Sequence, residues 1–122
     1  MSGKLKTKRV YEEISIGDGF RIFVERLWPR GISKDKAAID LWLKDIAPST
    51  ELRKWFSHEP SKWNEFKKRY YAEVKSNNEL IQTIIEALSE ENVTLLYASR
   101  EKEFNAANAL VTYLNKFIDC GS

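Results

Sequence analysis

The sequence has 122 residues, a formal net charge of +2, 43% hydrophobic residues and 12% aromatic residues, with only three prolines and five glycines. This size and composition are typical of a single packed domain, and they exclude a disordered or fibrous chain. The small net charge does not by itself indicate nucleic-acid binding, because clustered cations can act while the total stays near zero.

The sequence has no recognisable signal for export or membrane insertion. The basic segment 1–9 is not followed by the apolar run of a secretory signal peptide, and no segment reaches membrane-spanning length. The single cysteine, Cys120, rules out an internal disulfide and lies at a terminus expected to fray. We therefore expect a cytoplasmic protein with one domain over residues 1–122 and flexible termini at about 1–6 and 119–122.

The beginning of the chain predicts a β-hairpin. Segments 9–14 and 20–24 are rich in residues that favour strands. Gly17-Asp18-Gly19 between them has the composition of a tight turn. We expect this hairpin at or near an edge of a sheet.

The next segment predicts two caps and a third strand. Ser33 is a suitable N-cap for a short helical turn at KDKAA, and Ser49 or Thr50 can cap a helix carrying Leu52. Between them, Ile39, Leu41 and Leu43 alternate with Asp40, Trp42 and Lys44. This alternation predicts a strand running to Ala47-Pro48, with an amphipathic helix as the alternative.

The second half of the chain predicts helices on both sides of one buried strand. A helix begins at Pro60, and its apolar stripe consists of Trp63, Phe66, Tyr70 and Val74. After a break at Ser76-Asn77-Asn78, a second helix covers 80–88. Segment 93–99 is a short apolar run suited to a strand covered on both faces, and a last helix covers 104–117.

Strands that alternate with helices at these lengths predict an α/β fold. We expect a compact single domain with a small mixed or mainly parallel sheet, an N-terminal hairpin and helices packed on the faces of the sheet. In open α/β sheets, ligands bind beyond the carboxyl ends of the strands, where loops enter the following helices. Here those loops are 25–31, 45–50 and 99–105.

The same loops contain the residues predicted to bind a ligand. Arg26, Arg30 and Arg100 can form an anion pocket, because guanidinium groups bind phosphate or carboxylate bidentately and stay charged at physiological pH. Trp28 can stack on a guanidinium or on a flat ligand. Ser49 lies at a predicted helix start, where partial positive charge accumulates.

Internal ion pairs are the alternative use of these arginines. Four acids lie close in sequence to them or in the same loops: Glu25, Asp40, Asp45 and Glu101. Trp28 can likewise close the end of the sheet instead of binding a ligand. The sequence leaves both uses open.

Four residues are weak candidates for catalysis: Glu25, Asp45, Ser49 and His58. In an enzyme, Glu25 or Asp45 would transfer a proton, and Ser49 or Asn105 would hydrogen-bond the substrate. His58 titrates near neutral pH, but at a helix end its interaction with exposed carbonyl groups is the preferred interpretation.

The sequence identifies no cofactor and no metal site. Gly17-x-Gly19 lacks the third glycine and the setting of a dinucleotide fingerprint, and no Walker sequence is present. One histidine and one terminal cysteine cannot build an ordinary zinc site. A magnesium site at Glu25, Asp40 or Asp45 stays open, because magnesium needs only one or two carboxylates plus a phosphate ligand.

Segment 62–75 is the candidate for nucleic-acid binding, because cations and aromatic residues interleave in it. Helical spacing sends Trp63, Phe66 and Tyr70 inward, however. The remaining cations, Lys67, Lys68 and Arg69, then resemble an ordinary solvated flank.

Five segments together carry a resemblance over nearly the whole chain. They are RVYE, DGFRIFVERLWPRGISKDKA, DLWLKDIAPSTELRKWFSHEP, W-x-x-F-x-x-R-Y and VTLLYASREKEFNAA. In order and spacing they resemble the YeaO-like proteins, a prokaryotic domain-of-unknown-function family (number four-eight-eight). The resemblance implies a small α/β cytoplasmic protein without an established activity, and it supplies no substrate.

The resemblance also places signature residues in the loops described above. They are Arg26, Trp28, Pro29, Arg30, Gly31, Pro48, Ser49 and Asn105. This chain departs from the family pattern at two positions: Glu25 replaces the usual aspartate, and Phe104 replaces a frequent histidine. Glu25 keeps the charge but extends it outward, whereas Phe104 removes any role that depends on the histidine.

We therefore expect an anion-binding site at the strand ends, formed by Arg26, Trp28, Arg30, Ser49, Arg100 and Asn105. The expected ligand is a phosphorylated or nucleotide-like small molecule, with catalysis left open. The alternative is a module that binds nucleic acid or a protein without catalysis. No membrane partner is expected, and the sequence gives no oligomeric state.

Overall fold

The computed structural model describes residues 3–57 and 59–120, the last four of these by their backbone alone. The strands are β1 (Leu5–Arg9), β2 (Phe20–Phe23), β3 (Leu41–Trp42) and β4 (Val93–Tyr97). The α-helices are α1 (Lys34–Ala37), α2 (Thr50–Phe56), α3 (Trp63–Lys75), α4 (Asn78–Glu90) and α5 (Ala106–Cys120). Short 3-10 turns lie at Ile16–Asp18, Lys44–Ile46 and Pro60–Lys62.

The predicted fold class is confirmed. The described strands form one four-stranded sheet in the order β1-β4-β2-β3, and its pairings are parallel. All five residues of β4 are buried, as predicted for a strand covered on both faces. Parallel strands require crossover connections, and helices provide them between β2 and β3 (α1) and between β3 and β4 (α2 to α4).

The predicted N-terminal hairpin is wrong. β4 lies between β1 and β2, so that Val93 faces Leu5 on one side and Phe20 on the other. β1 ends at Arg9, before most of the segment predicted as a strand. A strand that is apolar on both faces needs neighbours on both edges, and β4 meets this need by separating the two N-terminal strands.

The predicted third strand is much shorter than the alternating pattern indicated. β3 has two residues, and Leu43 then donates a 2.9 Å hydrogen bond to the carbonyl of Phe23. A 3-10 turn follows at once and buries Ile46 in the core. The alternation over 39–43 therefore reports a short edge strand, and the segment to Ala47-Pro48 is not part of the sheet.

The helices begin where the predicted caps stand. The Ser33 hydroxyl accepts a hydrogen bond from the N–H of Lys36 at 3.3 Å. The Ser49 hydroxyl accepts one from the N–H of Leu52 at 3.1 Å. Both interactions satisfy a backbone donor that has no carbonyl partner within its own helix.

The core lies mainly on one face of the sheet. Ile22 and Leu95 from the central strands pack there against α2 to α5. The α3 residues buried in this core are Phe66, Tyr70 and Val74, as the predicted stripe requires. Because side chains alternate along a strand, Phe23 and Leu96 face the opposite side, in a smaller cluster with Ala37 of α1.

A buried charge cluster fixes the segment before β2. Asp18 is 1% exposed, and its carboxylate lies 2.6 Å from Nη1 of Arg21 and 2.8 Å from Nζ of Lys8. Burial alone would raise the pKa of Asp18, but hydrogen bonds from Lys8, Ser15 and Lys6 lower it far below its usual range. Asp18 therefore stays ionised and holds the two cations in place.

Candidate functional site

A cavity of about 410 Å³ opens at the carboxyl ends of β2 and β4. Residues after both strands, one side of α2 and the first turn of α5 line it. This is the position at which ligands usually bind in parallel α/β sheets. Its volume lies in the range of small-molecule sites, roughly 300–1,000 Å³.

One face of α2 gives the cavity a polar wall. Thr50, Arg53, Lys54 and Ser57 follow one another at spacings that place side chains on the same side of a helix, and all four line the cavity. Arg53 and Lys54 are exposed and form no ion pair with any described residue. Their charges are therefore available to an anion.

Sequence reasoning did not find this wall. The signal was present in TELRKWFS, where polar residues recur at helical spacing directly after loop 45–50. Of the apolar residues of the same segment, Leu52 is buried and does not line the cavity, whereas Phe56 is buried and contributes to the lining. Reading the polar face of this helix together with the loop before it would have indicated the two cations.

Arg26 lines the cavity and faces the segment that precedes α2. Its Nη2 donates a 3.4 Å hydrogen bond to the carbonyl of Ala47, and its Nη1 lies 3.9 Å from a carboxylate oxygen of Asp45. Asp45 is 73% exposed, and ion pairs in such exposed positions are weak. The buried Nε of Arg26 has no described hydrogen-bond partner. Each Nη group carries a second N–H, so Arg26 keeps donors for a ligand.

Glu25 lies at the sheet end of the cavity. Its side chain accepts a hydrogen bond from the N–H of Ala98, which follows β4. Its backbone carbonyl accepts a 2.6 Å hydrogen bond from Nε1 of Trp42. The residue thereby connects the ends of β2, β3 and β4.

Asn105 lines the cavity from the start of α5, but its side chain is occupied by the protein. Its Oδ1 accepts a 2.9 Å hydrogen bond from the N–H of Asn108, and its Nδ2 donates to the carbonyl of Glu101 at 2.8 Å. Asn105 therefore caps α5. The ring of Phe104 lines the cavity and packs edge-on against Trp63, with 5.4 Å between ring centroids.

Buried aromatic rings form the apolar part of the cavity. Phe56, Phe66 and Tyr97 each contribute to its lining and are almost completely inaccessible. Burial, with the nearby carboxylates of Glu12 and Glu101 adding to it and Arg9 opposing it, raises the pKa of Tyr97. Tyr97 is thus a neutral phenol at physiological pH. The cavity combines cations with flat apolar surfaces.

The segment that carries the cationic wall of α2 is anchored to α3 by two contacts. The hydroxyl of Tyr70 donates a 2.6 Å hydrogen bond to the carbonyl of Ile46, and burial raises the pKa of Tyr70, so that it remains a donor. The hydroxyl of Ser49 donates to a carboxylate oxygen of Glu73 at 2.6 Å. Ser49 does not line the cavity, because its hydroxyl group is directed into this contact.

Three other predicted ligand residues lie away from the cavity. Nε1 of Trp28 donates to the carbonyl of Ile32 at 2.9 Å, and its ring packs edge-on against Trp42 on the opposite face of the sheet. Arg30 and Arg100 are exposed and contribute no lining. The structure brings Arg26 and Asn105 together at one site and leaves these three outside it.

The catalytic candidates are also dispersed. Glu25 lines the cavity, whereas Asp45 is exposed beside it and Ser49 is held by Glu73. His58 lies outside the described residues. The described part of the chain thus places one of these candidates on the cavity wall.

The described residues contain no group of three or more histidine, cysteine, aspartate or glutamate side chains that could hold a metal ion. None of the helices in the described ranges combines the length and the apolar character needed to cross a membrane.

Comparisons with known proteins agree over almost the entire length of the chain. Residues 4–120 match the family described as the inactive DUF488-N3 subclade. The uncharacterised protein YeaO of Escherichia coli (strain K12) is 39% identical over 110 residues, which cover 90% of this chain and 96% of YeaO. An uncharacterised protein of Mycobacterium tuberculosis (strain H37Rv) is 38% identical over 112 residues, covering 92% of this chain and 94% of that protein. No solved structure matches the chain significantly.

Proposed function

The chain belongs to the inactive DUF488-N3 subclade, and from that premise we propose that it binds a phosphorylated or nucleotide-like small molecule in the cavity at the strand ends. The description of the subclade as inactive favours binding without turnover. It agrees with the dispersal of the catalytic candidates, of which only Glu25 lies on the described cavity wall.

The charge of the cavity wall is the observation that carries this proposal. Three cations, Arg26, Arg53 and Lys54, line the cavity against a single described acid, Glu25. Guanidinium groups bind phosphate oxygens with two parallel hydrogen bonds, and an ammonium group adds a mobile point charge. A ligand seated against the apolar residues of the cavity would shield these contacts from water, which would strengthen them relative to contacts on an open surface.

The first turn of α5 supports the same ligand chemistry. Ala106 and Ala107 line the cavity, and the first N–H groups of a helix have no carbonyl partner within it. The positive end of the helix dipole points in the same direction. Both features add to the attraction that the three side chains exert on an anion.

The aromatic surfaces favour a ligand with a flat group. Phe104 lines the cavity and is only partly buried. A nucleobase can stack on such a ring while the phosphate contacts α2. A nucleotide-like molecule therefore uses both halves of the cavity, whereas inorganic phosphate uses only one.

Calorimetric titration with adenosine 5′-monophosphate tests the proposal. We expect saturable binding, and a loss of about 100-fold or more in affinity in the double variant Arg53→Ala/Lys54→Ala, because it removes two charged hydrogen bonds that contribute about 1.5–3 kcal/mol each. The matched control, Lys68→Ala/Lys75→Ala, removes two exposed charges from α3 that do not line the cavity.

Equal losses in the two double variants would show that the cavity wall has no specific role. Absence of saturable binding for inorganic phosphate, ribose 5-phosphate and adenosine 5′-monophosphate alike would refute the proposed function. Thermal unfolding of each variant, measured without ligand, separates a binding defect from a folding defect.

A further inference from the structure

The carboxylate of Glu25 is unexpected in a site that binds only phosphate, because both groups are negatively charged. Among the described residues that line the cavity it is the only acid, and its carboxylate forms no ion pair with a described cation. The N–H of Ala98 occupies one oxygen, Oε2. An ionised carboxylate accepts about four hydrogen bonds, so most of its acceptor capacity is unused by the protein.

The position of Glu25 separates it from the cations of α2. Its contact with Ala98 holds the carboxylate over the ends of β2 and β4. Arg26, the next residue, directs its guanidinium group the other way, toward the carbonyl of Ala47 in the segment before α2. The cavity therefore has a cationic side at α2 and an acceptor side at the sheet.

A ligand that fills this cavity must present different groups to the two sides. A phosphate beside Glu25 would be repelled, because two negative charges in a site of reduced dielectric interact strongly. The group facing Glu25 must instead donate hydrogen bonds. A ligand ammonium group is disfavoured, because three cations already line the same cavity. Neutral hydroxyl groups satisfy both conditions, and two neighbouring hydroxyls can donate to one carboxylate.

From these contacts we infer that the ligand is a phosphorylated sugar derivative whose hydroxyl groups are bound by the carboxylate of Glu25. This inference rests on the proposed function and narrows it to sugar phosphates, either free or as part of a ribonucleotide. Glu25 acts as a specificity-determining residue. It favours the binding of phosphate compounds that carry hydroxyl donors and disfavours the binding of those that lack them.

The variant Glu25→Gln tests this role with little disturbance of the fold, because the glutamine carbonyl oxygen can still accept from the N–H of Ala98. Glu103→Gln is the matched control: it makes the same change in charge at an exposed residue that does not line the cavity. The probes are ribose 5-phosphate, adenosine 5′-monophosphate and phenyl phosphate, which has a flat ring but no hydroxyl group.

We expect Glu25→Gln to weaken the binding of the two probes that carry hydroxyl groups without weakening the binding of phenyl phosphate. Ribose 5-phosphate and adenosine 5′-monophosphate should bind about fivefold more weakly, since a charge-assisted hydrogen bond is roughly twice as strong as a neutral one. Phenyl phosphate should bind as tightly as before or more tightly, because a repulsive charge is gone. Tighter binding of the nucleotide than of ribose 5-phosphate would identify a ribonucleotide as the source of the sugar, and equal binding would identify a free sugar phosphate.

The two proposals fail in different ways. If all three probes bind to the unmodified protein and Glu25→Gln tightens all of them, Glu25 does not recognise hydroxyl groups, and the inference is wrong while the proposed function stands. If none of the probes binds to the unmodified protein, both are wrong. An equal effect of Glu103→Gln would also overturn the inference, because the change in the net charge of the protein would then explain the change in affinity by itself.

Discussion

Ser49 and Glu73 are joined by two hydrogen bonds that fix the start of α2 against α3. The Ser49 hydroxyl donates to Oε2 of Glu73 at 2.6 Å, and its backbone N–H donates to Oε1 at 2.8 Å. The same hydroxyl accepts from the N–H of Leu52. Because Arg53 and Lys54 follow within one turn, this contact also determines where the two cations lie.

Removing Glu73 should therefore destabilise the protein. We expect Glu73→Ala to lower the free energy of unfolding by about 1.5–3 kcal/mol, because the half-buried donors of Ser49 lose a charged acceptor. Urea denaturation measures the change. The control, Glu86→Ala, removes an exposed carboxylate from α4 and should cost less than about 0.5 kcal/mol. Equal stability of the two variants would show that the Ser49 contact contributes nothing.

The stability of the protein should depend on Asp18 at acid pH. Its ionised form is favoured by folding, so the stability it supplies is present above its ordinary pKa of 3.8 and is lost as the pH falls toward the much lower pKa of the folded state. Asp18→Asn should cost about 3–5 kcal/mol at neutral pH, because it leaves Arg21 and Lys8 unpaired. Urea denaturation should also show a flatter pH dependence below about pH 4.

A less disruptive variant still tests the role of the cluster if Asp18→Asn does not fold. Lys8→Met removes the first of the hydrogen bonds that lower the pKa of Asp18. Loss of stability on acidification should still begin near pH 3.8, but it should be smaller and complete at a higher pH than in the unmodified protein, because the folded-state pKa of Asp18 lies closer to its ordinary value. Identical pH profiles for Lys8→Met and the unmodified protein would contradict the role given to the Asp18 cluster.

Gly19 and Gly17 should respond very differently to alanine. Gly19 has φ 64°, and an added Cβ would overlap the backbone carbonyl of Asn92, which accepts a 2.8 Å hydrogen bond from Phe20. We expect Gly19→Ala to cost about 2–5 kcal/mol, from left-handed strain and from overpacking. Gly17 has open space around the same position, so Gly17→Ala should change stability by less than about 0.5 kcal/mol. Thermal unfolding of the pair measures the difference.

The exposed arginines outside the cavity should matter little for ligand affinity. Arg30 and Arg100 do not line the cavity, and charges at a distance in water are strongly screened at physiological salt. Arg30→Ala and Arg100→Ala should change the affinity for adenosine 5′-monophosphate by less than about twofold at this ionic strength. Arg26→Ala should weaken binding about tenfold or more. A larger loss for Arg30→Ala than for Arg26→Ala would move the binding site away from the cavity.

Local patterns in the sequence predicted most of the secondary structure. The caps at Ser33 and Ser49 and the buried stripe of α3 follow from spacing within one segment, and each has the predicted partner or burial. The apolar run at 93–97 likewise forms a strand buried on both faces. These features depend on neighbours along the chain, so the sequence contains the information directly.

The hairpin prediction was wrong because strand pairing depends on residues that are far apart in the sequence. A turn composition at Gly17-Asp18-Gly19 reports only that the chain bends there. Which strand then pairs with β2 depends on β4, more than 70 residues away, whose two apolar faces require a central position in the sheet. Strand order is therefore a property of packing, and no local pattern reports it.

The candidate site likewise depends partly on local sequence and partly on tertiary packing. The sequence by itself determined that loops 25–31 and 99–105 follow strands, and that Glu25, Arg26 and Asn105 belong to them, because both facts follow from position along the chain. Only the tertiary structure decided that Arg53 and Lys54 complete the cationic wall, that Ser49 is taken by Glu73, and that Trp28 faces the other side of the sheet. A side chain serves a ligand or a neighbour according to which segments pack beside it, and that packing is set by the whole fold.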